Sequence, residues 1–217
     1  MPSEHAKSTG PGREYLRALL AERNQHPDRV ADIDRLIEET FRRKVAILVL
    51  DMSGFTRLTL KYGIIHYLAM IEQMDNAARP AVAQNAGIVI KQEADNIFAV
   101  FDSPAAAIEA ARDILIAFSA VNTVVPDERD LYASFGIGYG DTLVVDDHDM
   151  FGSEVNAACK LGEDLADRYE ILLTPAAHDA IPPNLYTFEP RHFSISGVDL
   201  ASWKFIDVVE DDSVPMD

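Results

Sequence analysis

The sequence predicts an α+β fold built on a ferredoxin-like βαββαβ core. Three observations carry that expectation. The run VAILVLD at 45–51 is continuously apolar and rich in β-branched residues, as a central strand covered on both faces must be. Residues 62–85 place Ile64, Ile65, Leu68, Ile71 and Met74 at helical spacing. After Ala86-Gly87, the segment IVIKQEADNIFAVF (88–101) reads as two strands around a tight turn at Glu93-Ala94-Asp95-Asn96. A further helix and strand follow, so the order from residue 45 is strand, helix, strand, strand, helix, strand.

The remaining elements are read in turn. Residues 1–12 lack periodicity and form an expected flexible tail, and no apolar stretch behind their charges marks a signal peptide. Residues 13–43 read as two short helices separated by His26-Pro27-Asp28, with apolar stripes at Tyr15, Leu16, Leu19 and Leu20, then Val30, Ile33, Leu36, Ile37 and Phe41. They serve either as a dimerisation or regulatory element or as a helix packed on the flank. Pro80 is expected to kink the long helix or start a new turn. Ser103-Pro104 supplies an N-cap and a first-turn proline for a helix reaching about Ala120. YASFGIGYG (132–140) and TLVV (142–145) read as strands, Val155 to Asp167 as a helix, and ILLT (171–174) as a strand. Thr174-Pro175 caps a short helix, and LYTFEP, HFSIS and SWKFIDVV are strand-like runs completing a domain over 44–208. Residues 209–217 form an acidic tail.

Composition narrows the function. A chain of 217 residues with 48% hydrophobic content supports one sizeable core. No apolar run approaches the roughly 18 residues that span a bilayer, so membrane insertion is not expected. The single cysteine, Cys159, excludes an internal disulfide and a Cys-rich zinc site, and fits a reducing cytoplasm. The six histidines show no HExxH spacing. A formal net charge of −17 repels nucleic acid, and a nucleoside triphosphate would need cations beside it.

Asp51 ends the first strand and Asp95 sits in the hairpin turn, 44 positions later. The ferredoxin-like order brings both to one sheet edge. Two carboxylates suit the oxygen-preferring ions Mg²⁺ and Mn²⁺. The alternative is that Asp51 caps the following turn and Asp95 shapes the hairpin. Met52-Ser53-Gly54-Phe55-Thr56 follows the strand, and backbone amides in such a turn can approach a triphosphate, with Gly54 permitting close contact. Gly136-Ile137-Gly138-Tyr139-Gly140 precedes a strand and so is no dinucleotide fingerprint. Glu163, Asp164 and Asp167 read as a solvated helix face.

Three segments in order resemble the class III adenylate and guanylate cyclases, over roughly residues 44–208. LVLDMSGFTRL (48–58) resembles the first metal motif, KQEADNIFAVF (91–101) the second, and DMFGSEVNAACKL (149–161) the base-reading and ribose segment. The resemblance implies two Mg²⁺ or Mn²⁺ ions per site on Asp51, Asp95 and the Met52 carbonyl, with Gly54, Phe55 and Thr56 against the triphosphate. It implies adenine reading by Lys91 and Asp149: the ammonium donates to N1 and the carboxylate accepts from the exocyclic amine. It implies that Asn156 orients the ribose and that Lys160 stands where the family has a transition-state arginine. Asn156 and Lys160, four apart, share a helix face. The implied activity is conversion of ATP to cyclic AMP and pyrophosphate in a homodimer. One subunit brings Asp51 and Asp95, the other Lys91, Asp149, Asn156 and Lys160. The chain departs from the pattern at Lys160, at Ala94 where glycine is usual, and at Ser196-Gly197-Val198, where the family's late phosphate-binding lysine has no clear match. Lys160 could instead pair with Asp164. A non-catalytic nucleotide-binding or dimerisation module, or a cyclase for another base, are the competing readings.

Overall fold

The computed structural model describes residues 12–145, 148–195 and 198–209, without the side chains at 55, 56, 195, 198 and 199. The tails expected at 1–11 and 210–217, and the residues Asp146, Asp147, Ser196 and Gly197, lie outside the described residues. In β1 (Arg42–Met52), six consecutive residues from Val45 to Leu50 are buried. The strand is covered on both faces. Ala46, Leu48, Leu50 and Met52 join the larger core, built with α4 (Ile64–Gln84) and α5 (Pro104–Asn122). Val45, Ile47 and Val49 face the other way, toward β5 (Asp149–Phe151) and α6 (Ser153–Cys159).

β2 (Ile88–Glu93) and β3 (Asn96–Phe101) form the expected hairpin. With β4 (Ala133–Val145), β6 (Ile171–Leu173), β7 (Tyr186–Ile195) and β8 (Val198–Val208), they give a sheet ordered β2-β3-β1-β4-β6-β8-β7, and β5 pairs with β4. The first four strands in that order are the ferredoxin-like core. Ser103 caps α5 by accepting from the Ala106 amide, with Pro104 in the first turn. Thr174 likewise caps α7 (Pro175–Asp179) through the Ala177 amide. Both caps stand where the sequence placed them.

Several elements differ from the sequence expectation. A separate helix, α3 (Phe55–Tyr62), precedes α4, and Gly63 at φ 87° breaks them apart. The buried face of α4 carries Tyr67, Met70, Met74, Ala78, Ala81 and Val82. Ile64, Ile65 and Leu68, expected in the core, are 48%, 81% and 54% exposed. Met74 of the same stripe is buried and Ile71 packs on the core, so the inward face is rotated toward Tyr67 and Met70. α4 runs through Pro80 because the buried residues around it hold the last turns despite the lost amide. β4 is one strand without interruption at Asp141, since all its residues pair across to β1 or β5. Pro190 lies within a single β7, tolerated because β7 is the sheet's edge.

α1 (Arg13–Gln25) and α2 (Val30–Phe41) bury Leu16 and Leu19 against Ile33, Ile37 and Phe41, and close over Leu143 and Val145 of β4. Tyr15, Leu20 and Leu36 stay exposed, so each stripe is narrower than its apolar content suggested. No helix among the described residues is long and apolar enough to cross a membrane.

Candidate active site

Asp51 closes β1 with Asn96 of β3 opposite it on one side and Ser134 of β4 on the other. The Met52 amide donates to the Asp95 carbonyl at 3.2 Å, which ties the strand end to the hairpin turn. The turn itself holds Ala94 at φ 53°, in the left-handed region that favours glycine. Alternation along β1 turns Asp51 to the face of Val45, Ile47 and Val49. Burial first, then the charges of Asp95, Glu163 and Asp164, push the Asp51 carboxyl up to about 7. Glu163 and Asp164 are exposed, as read from sequence, yet their field reaches this corner. No ion pair joins Asp51 or Asp95 to a lysine or arginine among the described residues.

Sequence reasoning missed Tyr67. This side chain is fully buried in the first turn of α4, and its hydroxyl donates to Asp95 Oδ2 at 2.8 Å, with the Met52 carbonyl at 3.4 Å. Burial and the Asp95 bond raise its pKa well above the ordinary phenol value, so it stays a donor. The available signal was a tyrosine three residues after Ile64 and four before Ile71, on the helix stripe that Ile71 shares.

The corner fits a divalent cation. Asn96 Oδ1 is buried with no hydrogen-bond partner among the described residues, and cross-strand partners share a face, so it lies on the Asp51 side. Carboxylates and an unmatched amide oxygen with no cation beside them form a set of hard acceptors. Among the described residues no group of three or more His, Cys, Asp or Glu side chains forms a ready-made metal cage. Mg²⁺ needs none, since it keeps waters and substrate phosphates around one or two carboxylates.

Gly54 stands at φ 107° before α3, and a Cβ there would meet Leu58 Cδ1 at 3.3 Å. The backbone turn therefore requires glycine in its own right. The Ser53 amide is already engaged by the Tyr132 carbonyl at 2.9 Å, so it cannot serve a phosphate. The first-turn amides of α3, including those of Phe55 and Thr56, lack intrahelical acceptors.

A second cluster forms around Lys91. Lys91 Nζ lies 3.1 Å from Asp149 Oδ1 and 2.8 Å from Glu93 Oε1, over the Phe98 ring. Burial opposes its charge, but the bonds to Glu93 and Asp149 outweigh that, and the Lys91 pKa is raised. Asp149 belongs to β5 and is only 7% exposed, so it is not a plain loop carboxylate. Its Oδ1 also accepts the Met150 amide, and its Oδ2 accepts from Arg13 at 3.0 Å. Arg13, at the start of α1, was not singled out from sequence because a contact 136 residues away leaves no local pattern.

α6 ends at Cys159 and continues as a π-helical turn over Lys160–Leu165, correcting the uniform helix expected there. The glycine-rich strand explains how closely this segment lies on the sheet. A Cβ on Gly136 would stand 2.0 Å from the Ala158 carbonyl oxygen. Asn156 is exposed and makes no side-chain hydrogen bond to another described residue. Lys160 Nζ pairs with Asp164 Oδ2 at 2.5 Å. Within one chain, no hydrogen bond or ion pair among the described residues joins Asp51 and Asp95 to Lys91, Asp149, Asn156 or Lys160.

No protein-family model matches the chain. A Rhizobium meliloti protein named "Putative adenylate cyclase 3" is 29% identical over 147 residues, 67% of this chain and 25% of that protein. The chain spans between 25% and 31% of the length of the curated relatives it matches. Among solved structures, the guanylyl cyclase Cya2 superposes with a TM-score of 0.69 at 17% identity, over 80% of this chain and 96% of that one. The adenylate/guanylate cyclase/hydrolase from Silicibacter pomeroyi does so with a TM-score of 0.61 at 26% identity, over 76% and 97%. A shared fold over nearly the whole of these catalytic domains, joined to sequence similarity with a protein named adenylate cyclase, makes this chain similar to nucleotide cyclase catalytic domains.

Proposed function

We propose that this chain is an adenylate cyclase domain, converting ATP to cyclic AMP and pyrophosphate at sites shared between two copies of itself. The observation that carries the reading is the juxtaposition of Asp51 and Asp95 in a corner where no lysine or arginine pairs with either among the described residues. There Asp51, Asp95 and the Met52 carbonyl would hold two Mg²⁺ or Mn²⁺ ions. Such ions, when bound, offset triphosphate charge and acidify the attacking ribose 3′-hydroxyl. In the reaction the 3′-oxygen forms a bond to the α-phosphorus, the bond from that phosphorus to the pyrophosphate oxygen breaks, and the hydroxyl proton is lost.

The chain's other residues bind and orient. Lys91 donates to adenine N1 and Asp149 accepts from the exocyclic amine, a pattern that guanine reverses. Their mutual ion pair keeps both heads in one place before the base arrives. The first turn of α3, from Gly54 through Phe55 and Thr56, offers backbone amides to the triphosphate. Asn156, exposed on α6, orients the ribose of a site completed by the partner copy. Lys160 offsets charge at the reacting phosphate once it leaves Asp164.

Two features support a homodimer. No hydrogen bond or ion pair among the described residues joins the two clusters within one chain, and apolar Leu60, Ile64, Ile65 and Leu68 stand exposed around the α3–α4 junction, Ile64 and Ile65 directly after Gly63. The Lys160–Asp164 pair favours the second reading, a non-catalytic module of the same fold. The deciding experiment incubates the purified chain with each of the four nucleoside triphosphates and Mn²⁺ and identifies products by mass. Cyclic AMP from ATP is the expected outcome. A cyclic product from another triphosphate alone moves the base assignment, and no product from any of them favours the non-catalytic module.

A further inference from the structure

We infer that Tyr67 is a positioning residue for the cation corner, its hydroxyl orienting the Asp95 carboxylate and the Met52 carbonyl. The inference rests on the reading of Asp51 and Asp95 as the ion-holding pair. Tyr67 has no exposed surface and sits among Met70, Met74 and Ala78 on the face of α4 that packs into the larger core. Packing alone would be served by phenylalanine. A hydroxyl buried in such surroundings without an acceptor is destabilising, so its presence calls for a partner. That partner is a carboxylate of the corner, Asp95 Oδ2, at 2.8 Å. A hydrogen bond to a carboxylate oxygen is short and directional. It occupies one lone-pair direction of Oδ2 and holds the carboxylate plane.

The same hydroxyl lies 3.4 Å from the Met52 carbonyl oxygen. One buried group thus reaches two of the three groups assigned to the ions, from the protein side. The anchoring is rigid, because α4 packs along α5 and the sheet through the same residues. Partners of this kind set ligand orientation and typically change metal affinity by about 10–100-fold when removed.

The test uses the full chain and Mn²⁺ alone, with free Mn²⁺ followed by electron paramagnetic resonance. Tyr67→Phe should weaken Mn²⁺ binding by about 10-fold or more while thermal melting still shows a cooperative fold. Tyr67→Met, which fills similar space without a hydroxyl, should give the same loss. In turnover, the Mn²⁺ concentration for half-maximal rate should rise by a similar factor, with kcat at saturating Mn²⁺ within about threefold of wild type. Placed in an Asp95→Asn background, Tyr67→Phe should add nothing further to the Mn²⁺ loss. Unchanged Mn²⁺ binding in a folded Tyr67→Phe chain overturns the inference, as does an equal loss in the Asp95→Asn background. If Asp95→Asn itself binds Mn²⁺ like wild type, the ion-holding reading beneath it fails instead.

Discussion

The Met52 amide donates to the Asp95 carbonyl at 3.2 Å, and this one bond joins the end of β1 to a turn 43 residues further along the chain. It draws Asp51 and Asp95 into one corner, where burial and like charge lift the Asp51 carboxyl to about 7. Asp51, held this way with no basic partner among the described residues, destabilises the metal-free fold when ionised.

That strain has a pH signature. The folded Asp51 pKa lies above the ordinary carboxylate value, so its contribution to stability is full below about pH 4 and is lost as pH rises through about 7. Asp51→Asn should therefore melt higher than the metal-free wild type at pH 8, by ~2–6 °C, and the difference should vanish near pH 4. Turnover should fall by at least ~10³-fold in Asp51→Asn and in Asp95→Asn. Calorimetry with and without Mn²⁺, beside a cyclase assay, checks both. A variant with near wild-type turnover would remove that carboxylate from the mechanism.

Ala94 occupies a left-handed turn position at φ 53°. A side chain there costs roughly 1–2 kcal/mol, part of which glycine gives back through a freer unfolded chain. Ala94→Gly should stabilise the protein by about 0.5–1 kcal/mol in urea denaturation, with activity within twofold. A loss of stability would show that the alanine methyl makes a compensating contact.

Lys91 and Asp149 form one ion pair, so they should act as one unit in base choice. Lys91→Glu combined with Asp149→Cys should lower kcat/KM for ATP by ~10²-fold or more, since the wrong pattern leaves polar groups unpaired. Competition between ATP and GTP in the double variant reads this directly. An unaltered ATP preference places base reading elsewhere.

No hydrogen bond or ion pair among the described residues joins Asn156 to the acidic corner, and the shared-site model assigns them to opposite subunits. Mixing inactive Asp51→Ala with inactive Asn156→Ala should restore about a quarter of wild-type activity under random exchange, because half the dimers then carry one intact site. Subunit exchange is confirmed independently by tagged pull-down. No recovery after confirmed exchange contradicts a site built from two chains.

Lys160 is paired with Asp164 at 2.5 Å, on the surface, where such pairs contribute little to stability. Lys160→Ala should leave the melting temperature nearly unchanged and lower kcat by ~10²–10³-fold with little change in KM. Lys160→Arg should retain activity, its planar fork being better suited to two phosphate oxygens. Steady-state kinetics decides: an unchanged kcat in Lys160→Ala confines the lysine to its surface pair.

The sequence by itself determined the βαββαβ core, because burial on both faces of β1 demands a continuous apolar run and the caps at Ser103 and Thr174 act within four residues. It also placed Asp51 and Asp95 at one edge, since strand order alone carries them there. Local pattern could not fix the phase of α4, where Ile64, Ile65 and Leu68 mimic a core stripe and Tyr67 holds the buried face. Nor could it announce Tyr67 beside Asp95 or Arg13 beside Asp149, contacts that exist only once α4 and α1 are packed. Periodicity reports which residues share a helix face; which face turns inward, and what a buried hydroxyl or carboxylate meets there, is decided by tertiary packing.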